Sequence, residues 1–351
     1  MASEDPLLPL DKVFSIYPIH KTNFDGMHYD GMSAQQVYEH CKPILSSYLQ
    51  NYIVSDVRHP GKLAGGNSLV FLAHLKNKST LFREECDVAI KLFIPMKSAK
   101  ELLTDELLGK ISEQGICPKI LLNETNDFGN DTYIASVLIS ELVIPLELYQ
   151  FKSLDEVKTA ITSFVDIIYK LHKLGLVHLD IKRLNICVGK NGVIYLIDFD
   201  NCYRINTGSC DLDQSSSSCY PPIQMQKRFI RLKLGDMAID WFSTIYSILG
   251  YILNMKWWQF DDGVYDMDTD TYEYARMDEK QGKTLGLNRF KLYTHIQHEM
   301  GGLFPQNPIS MWDPFWTKFC DLVFLIFKGN RKCTNRTMFE EELEQLIQEL
   351  H

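Results

Sequence analysis

The sequence lacks several patterns that mark common classes of protein. Its nine cysteines include no C-x-x-C pair and follow no regular spacing, so they form neither a zinc signature nor a disulfide framework. The ten histidines show no ligand spacing, and zinc motifs of the H-x-x-E type are missing. We therefore expect a reducing compartment, namely the cytoplasm, or the host-cell cytosol if the chain is a viral or bacterial effector.

Positive charge and long apolar runs are also scarce. The formal net charge is −9, whereas broad nucleic-acid binding needs clustered lysine and arginine. The most apolar stretch, residues 241–258, is interrupted by Ser, Thr, Asn and Lys, and a membrane span needs ~20 apolar residues. The start of the chain has no basic region followed by an apolar one, which a secretory signal peptide would need. We therefore predict no nucleic-acid partner, no membrane span and no such signal peptide, while the oligomeric state stays unknown.

What the sequence does contain is a dense set of polar groups in residues 176–200, which read LVHLDIKRLNICVGKNGVIYLIDFD. Transfer of a phosphoryl group needs a carboxylate that orients the attacking hydroxyl, a cation near the transferred group, and oxygen ligands for Mg²⁺. Asp180, Lys182, Asn185 and Asp198 offer these groups at short spacings. This stretch therefore predicts phosphoryl-transfer chemistry.

The same stretch predicts a β-hairpin. Two apolar runs, residues 186–188 and 193–197, flank Lys190-Asn191-Gly192. Asn-Gly between two such runs is a strong hairpin signal. A hairpin would return the chain from Asn185 to Asp198 and bring these two metal-type ligands together, although thirteen positions separate them (198 − 185).

The stretch resembles the catalytic loop and metal motif of the eukaryotic-type protein kinase superfamily. Residues 178–185, HLDIKRLN, correspond to the family motif H-R-D-x-K-x-x-N, and Asp198-Phe199-Asp200 corresponds to D-F-G. The resemblance implies ATP and Mg²⁺ as cofactors. It further implies Asp180 and Lys182 as catalytic residues, with Asn185 and Asp198 as metal ligands.

A second match lies upstream, where residues 87–93, DVAIKLF, resemble the V-A-I-K strand. The resemblance implies that Ala89 and Lys91 bind the nucleotide, with the lysine on its α- and β-phosphates. In the family this lysine pairs with a glutamate of helix C. Glu106 is our preferred partner, and Glu101 is the alternative.

The family's glycine-rich loop has a thinned counterpart in residues 63–71, LAGGNSLVF. Val70 takes the place of the valine that follows the glycines, and Gly65 alone matches a family glycine. We expect Gly65, Gly66 and Val70 to bind the nucleotide. Because glycine lets backbone approach a ligand closely, the replaced glycines predict a looser approach to the phosphates.

The hinge is expected at about residues 141–145, after a strand over residues 133–140. Glu141 and Val143 would then contact the nucleotide as hinge residues. Ser140 falls at the gatekeeper position, where a small side chain predicts a deep pocket.

Two further matches lie toward the C-terminus. Residues 240–249, DWFSTIYSIL, resemble the buried helix F of the large lobe. Residues 335–337, NRT, precede an amphipathic run over residues 338–350 and resemble the closing R-P-T and last helix. Together the matches cover roughly residues 60–350.

These matches predict an α+β, bilobal protein-kinase-like fold with a small β-rich N-lobe and a larger helical C-lobe. We expect the kinase-like domain over residues 56–351, with the N-lobe at about 56–140 and the C-lobe at about 146–351. Residues 1–55 form an N-terminal extension, in which residues 33–50 are predicted to be helical.

The departures from the family bear on function. Leu179 replaces the arginine of H-R-D, so activity is expected not to depend on activation-loop phosphorylation through that arginine, although Ser215–Ser218 could be modified. Asp200 replaces the glycine of D-F-G, and the glycine-rich loop has lost two of its glycines. These departures leave two alternatives open: a nucleotide-binding pseudokinase or scaffold, and a small-molecule kinase of the aminoglycoside or choline kinase type. Lys182, Asp240 and Arg336 favour a kinase whose partner is a protein substrate with a Ser or Thr acceptor.

Overall fold

The structure is a computed structural model. It describes residues 23–24, 27–28, 49–58, 68–78, 85–93, 105–127, 134–189, 192–210, 221, 223–255, 289–310, 313–329 and 333–351. The predicted helix over residues 33–50 lies outside these ranges except for its last two residues.

The described residues form both helices and strands. The strands are β1 (Asn23–Phe24), β2 (Met27–His28), β3 (Tyr52–Arg58), β4 (Ser68–Asn77), β5 (Glu85–Phe93), β6 (Ile120–Asp127), β7 (Ile134–Glu141), β8 (Ile144–Pro145), β9 (Leu176–Val177), β10 (Ile186–Val188), β11 (Ile194–Leu196) and β12 (Tyr203–Arg204). The α-helices are α1 (Asp105–Glu113), α2 (Leu154–Lys173), α3 (Ile223–Arg231), α4 (Met237–Ser247), α5 (Arg289–Leu303), α6 (Pro314–Phe327) and α7 (Arg336–Leu350).

The fold is mixed α and β, with an antiparallel sheet and several helices, and is compatible with the predicted bilobal kinase-like fold. The chain divides into two compact units. Unit 1 comprises the described residues within Met1–Ser112 and Pro118–Leu142. Unit 2 comprises those within Glu113–Cys117 and Val143–His351.

Unit 1 is built on a five-stranded antiparallel sheet in the order β3-β4-β5-β7-β6. Side chains alternate between the two faces of a strand, so one face of this sheet can be apolar throughout. Phe71, Ile90 and Ile139 lie opposite one another on three neighbouring strands, and all three are buried. They form the centre of the core face of the sheet.

Unit 2 is mainly helical. Helix α2 begins after Ser153, whose side chain accepts a hydrogen bond from the Glu156 N–H at 3.2 Å, as a helix N-cap does. It packs against helix α7, where the Thr162 hydroxyl donates to the Leu350 carbonyl at 3.3 Å and Tyr169 donates to Glu344. These contacts join the two ends of the unit's sequence.

Helix α4 is the buried helix that the sequence predicted. Every residue of Met237–Ser247 is buried, and one π-helical segment, Ile248–Ile252, continues it. The predicted last helix is confirmed as α7, which begins after Asn335 because this side chain accepts from the Met338 N–H at 3.0 Å.

The predicted hairpin is confirmed as β10 and β11. Ile186 pairs with Leu196 and Val188 with Ile194, and the Gly189 N–H donates to the Val193 carbonyl at 2.7 Å. Strand β10 matches the first apolar run and β11 is shorter than the second, and Lys190 and Asn191 lie outside the described residues.

Two expectations about absent features can be compared with the described part of the chain. None of its helices is both long and apolar enough to cross a membrane. The cysteines that the structure describes are free thiols.

Candidate active site

The candidate catalytic loop, residues 178–185, follows strand β9 and ends where strand β10 begins. Leu179 has a φ of +59°, in the left-handed region that side chains other than glycine rarely adopt. Two hydrogen bonds to the Asp240 carboxylate hold this backbone: the His178 N–H and the Leu179 N–H each donate at 2.8 Å. The strained turn therefore depends on a buried charge of helix α4.

Asp180 lies at the centre of a group of polar side chains. Its Oδ2 accepts from the Lys182 ammonium and from the Asn185 amide nitrogen, both at 2.8 Å. The same amide nitrogen also donates to the Asp180 carbonyl at 2.9 Å. The structure thus brings together three of the four predicted groups of this loop and hairpin.

The second oxygen of Asp180 is the chemically notable one. The residue is only 2% exposed, and its Oδ1 has no hydrogen-bond partner among the described residues. A buried carboxylate oxygen without a partner is costly, so its presence calls for an explanation such as a catalytic role. A hydroxyl that entered this position could donate its proton to Oδ1.

Asn185 and the residue before Asp198 are adjacent, as the hairpin predicted. The Ile197 N–H donates to the Asn185 carbonyl at 3.0 Å. Asp198 follows directly, in a left-handed conformation with φ 65° and ψ 63°. The two residues that we predict as metal ligands therefore lie at neighbouring positions at one end of the hairpin.

The donor set suits Mg²⁺ and its nucleotide. Asn185 uses its amide nitrogen within the loop, so its amide oxygen is the atom that could bind a cation. Mg²⁺ binds oxygen ligands, commonly through one or two protein groups together with waters and substrate phosphates. Within the described ranges no group of three or more His, Cys, Asp or Glu side chains could hold a metal alone. One Asn and one Asp are sufficient protein ligands for a Mg²⁺ ion that is also bound by nucleotide phosphates.

Cys187 lies in strand β10, two positions after Asn185, and burial raises the pKa of its thiol to about 12.

His178 is a structural residue of the site that the sequence analysis did not assign. Its Nε2 lies 3.1 Å from the Ile197 carbonyl, and its Nδ1 accepts from the Asp180 N–H at 3.3 Å. Its ring also packs against Phe199, with 4.9 Å between the ring centroids. The imidazole thereby links the catalytic loop to the end of the hairpin that carries Asp198.

Asp240 and His172 were also not assigned as site residues. The His172 Nε2 lies 3.0 Å from Asp240 Oδ2, and both side chains are almost fully buried. The sequence did contain a signal for Asp240, because an acidic residue within an apolar run must find partners when it is buried. The sequence contained no signal for which backbone groups would bind Asp240.

In unit 1, three residues predicted to bind the nucleotide share one face of the sheet. Val70 of β4 pairs with Lys91 of β5, and Ala89 lies two positions before that lysine. Residues at i and i+2 of a strand point to the same side, as do directly opposed residues. Ser140, at the predicted gatekeeper position, pairs with Ala89 and belongs to this face too.

The other predicted residues of this group are placed less fully. Glu106 lies in helix α1, whereas Gly65, Gly66 and Glu101 lie outside the described residues. Glu141 ends strand β7, and its N–H donates to the Lys119 carbonyl at 2.9 Å. Val143 is half-buried and directly precedes strand β8.

Comparison with known proteins gives a distant similarity. No model of a known protein family matches the chain. The chain is similar to cGMP-dependent protein kinase 2 of Homo sapiens, with 23% identity over 194 residues, which is 53% of this chain and 24% of the relative. The protein of the same name from Rattus norvegicus gives the same identity and the same shares.

The chain therefore spans about a quarter of the length of these relatives. The similarity is to protein kinases, and it is distant.

Proposed function

We propose that this chain is a Ser/Thr protein kinase that uses ATP and Mg²⁺. The observation that carries the proposal is the Asp180 carboxylate, which binds Lys182 and Asn185 through one buried oxygen, while its other oxygen has no partner in the described part of the chain. We also propose the cytoplasm as its location, because the sequence carries no disulfide framework.

Asp180 orients the acceptor hydroxyl and takes its proton. The unpartnered Oδ1 is the atom for this role, because it can accept a hydrogen bond without breaking one that exists in the loop. Lys182 holds its positive charge 2.8 Å from the other oxygen, beside the position of the reacting group. Its ammonium therefore stabilises negative charge that develops there.

Asn185 and Asp198 bind the metal, and Lys91 binds the nucleotide phosphates with Glu106 as its partner. ATP supplies the phosphoryl group, and Mg²⁺ neutralises charge on its phosphate oxygens. Gly65, Gly66, Val70, Ala89, Glu141 and Val143 complete the nucleotide contacts that the resemblance implies. Their roles are part of the proposal.

Activity is further proposed not to require phosphorylation read by an arginine in the catalytic loop. Leu179 occupies that arginine's position and is fully buried. An apolar side chain in the core cannot bind a phosphate.

The test is incorporation of ³²P from γ-labelled Mg·ATP by the wild type and by Asp198→Ala. Acceptors are the protein itself, a mixture of Ser/Thr proteins and a panel of small alcohols. Label on protein with the wild type alone supports the proposal, whereas label on an alcohol selects a small-molecule kinase. No label, together with stabilisation by nucleotide, indicates a pseudokinase.

A second test addresses the catalytic carboxylate. Asp180→Ala should lower turnover by ~10²–10⁴, the usual contribution of a general base, while the melting temperature shows that the fold persists. Asp155→Asn is the matched control, because this carboxylate is exposed in the first turn of helix α2. Unchanged turnover in Asp180→Ala would remove Asp180 from the role.

A further inference from the structure

The segment that follows Asp198 packs against the residues that begin helix α4. Strand β12 pairs with β9, with Tyr203 opposite Val177 and Arg204 opposite Leu176. The next residue continues this attachment, since the Ile205 N–H donates to the Gly175 carbonyl at 2.9 Å. The segment thereby returns to the strand from which the catalytic loop starts.

Asp236 is the centre of the second attachment. It is fully buried and lies at the N-cap position of helix α4, yet its side chain forms no capping hydrogen bond. The carboxylate instead accepts a hydrogen bond from the Tyr203 hydroxyl at 3.1 Å. Its backbone N–H donates to the Asn206 carbonyl at 3.2 Å, so Asp236 binds the segment at two places.

Gly235 lets the segment come this close. Its φ is +48°, and a Cβ at this position would lie 1.8 Å from the Asn206 carbonyl oxygen. The Cys210 thiol donates to the Gly235 carbonyl at 2.9 Å, four positions further along the segment. Between these points Asn206 closes a turn by binding the Gly208 N–H and the Ser209 hydroxyl.

This attachment lies close to the predicted metal ligand. Asp198 has a left-handed conformation, which is unfavourable for a side chain other than glycine and persists only where the surroundings hold it. Asp198 lies between strand β11 on its N-terminal side and a 3-10 turn over Phe199–Asn201 on its C-terminal side. Strand β12 follows this turn. Strand β12 is therefore one of the contacts that hold the chain after Asp198, together with the packing of His178 against Phe199.

We infer that the hydrogen bond between Tyr203 and Asp236 positions Asp198 for metal binding. The inference rests on the proposed function, in which Asp198 is a metal ligand. Tyr203 and Asp236 are positioning residues, because they act through strand β12 and do not contact the reacting atoms.

The experiment compares Tyr203→Phe with Tyr169→Phe. Each change deletes one hydroxyl that donates to a carboxylate, but Tyr169 binds Glu344 between helices α2 and α7. Tyr203→Phe should raise the Mg²⁺ concentration for half-maximal activity by about tenfold, the factor that loss of one hydrogen bond to a charged group supplies. Tyr169→Phe should leave it within about twofold of the wild type.

Hydrogen exchange measured by mass spectrometry gives a readout that needs no activity. Peptides that cover residues 198–210 should lose protection in Tyr203→Phe, and they should keep it in Tyr169→Phe. If Tyr203→Phe does not fold, Asp236→Asn replaces it, because this change keeps the size of the side chain and removes its charge. An intermediate loss of protection is then expected.

The outcomes separate the two proposals. Wild-type transfer with equal Mg²⁺ dependence and equal exchange in Tyr203→Phe overturns the inference and leaves the kinase proposal standing. Lost protection with equal Mg²⁺ dependence also overturns it, because the contact would then hold the segment without positioning Asp198. No transfer by the wild type, with exchange that still responds to Tyr203→Phe, overturns the kinase role and with it the inferred positioning of a metal ligand.

Discussion

Two buried aspartates at the start of helix α4 each hold one part of the candidate site, and they hold it in different ways. Asp240 accepts hydrogen bonds from the backbone N–H groups of His178 and Leu179. Asp236, four positions earlier (240 − 236), accepts from the side-chain hydroxyl of Tyr203. The catalytic loop is thus held through its backbone, whereas the segment after Asp198 is held partly through one side chain.

The difference bears on which residues can change. Any residue other than proline supplies a backbone N–H, so the loop can carry leucine at position 179 and keep its hydrogen bonds to Asp240. The segment after Asp198 loses its side-chain hydrogen bond to Asp236 whenever Tyr203 loses its hydroxyl, and it keeps the backbone bond between Asp236 and Asn206. The two regions should therefore respond differently to substitution.

The largest effect is expected from Asp240→Ala. It leaves two backbone donors and His172 without their acceptor in the core, so the free energy of unfolding should fall by about 3–5 kcal/mol. Urea unfolding measures this loss. The control is Thr244→Val, which removes another buried hydrogen bond from the same helix and should cost about 1 kcal/mol. Equal losses would show that Asp240 holds no more than an ordinary hydrogen bond.

A smaller effect is expected from Gly235→Ala, which tests the second anchor. The added Cβ would overlap the Asn206 carbonyl, so the segment must move, and the free energy of unfolding should fall by about 1–3 kcal/mol. Gly192→Ala is the control in the hairpin turn, where φ is +81° and the nearest atom is the Glu156 carbonyl at 2.8 Å. If only Gly235→Ala increases hydrogen exchange over residues 203–210, the close approach to Asn206 matters. Equal exchange in both variants would argue against it.

Cys210 reports on the same anchor through its reactivity. Burial, with a further contribution from Asp236, raises the pKa of this thiol from 9.0 to about 12. Its stabilising contribution is therefore complete below pH 9 and is lost as the pH rises toward about 12. Since the thiolate is the reactive form, Cys210 should react with iodoacetamide at pH 9 at least about tenfold more slowly in the native than in the unfolded chain.

Tyr203→Phe should speed this reaction, and Cys86 in strand β5 is the internal control because it lies in unit 1. Mass spectrometry of the labelled peptides gives both rates. A native rate equal to the unfolded rate at pH 9 would show that the segment is not held against Gly235.

The smallest effect is expected at the surface, where Lys318 of helix α6 pairs with Glu349 of helix α7. Hydrogen bonds from Lys318 and from Gln345 lower the pKa of the Glu349 carboxyl. The stabilisation is thus present above the ordinary glutamate pKa and is lost as the pH falls through the lower folded value. Because the pair is partly exposed and screened, Lys318→Gln should cost at most about 1 kcal/mol at pH 7 and less at pH 3.

Urea unfolding of Lys318→Gln at both pH values sets the lower end of the comparison. If Lys318→Gln lowers the free energy of unfolding as much as Gly235→Ala does, the degree of burial does not determine how much these contacts stabilise the fold.

The features that sequence predicted well depend on local pattern. Asn-Gly between two apolar runs is a strong local signal for a hairpin, and the structure contains the β10–β11 pairing. Helix α7 begins after an Asn whose side chain caps it, and helix α4 reads as a continuous apolar helix. In each case neighbours in the chain supply the determining interactions.

The features that sequence did not predict join distant residues. The bonds of Asp240 to His178 and Leu179 cross 62 and 61 positions, and the bond of Tyr203 to Asp236 crosses 33. A buried aspartate in an apolar run signals that partners exist, but the partners follow from packing. The left-handed conformation of Leu179 had no local signal either, because leucine does not favour it.

The sequence by itself determined which chemical groups are present and which local elements carry them: Asp180, Lys182 and Asn185 in one loop, and Asp198 at the end of a hairpin. Tertiary structure alone decided that one oxygen of Asp180 binds Lys182 and Asn185, while the other is buried without a hydrogen-bond partner among the described residues. It also decided that two aspartates of one helix hold the loop and the segment after Asp198. The reason is physical, since hydrogen bonds between buried groups form where packing brings them within about 3 Å, and sequence separation does not fix that distance.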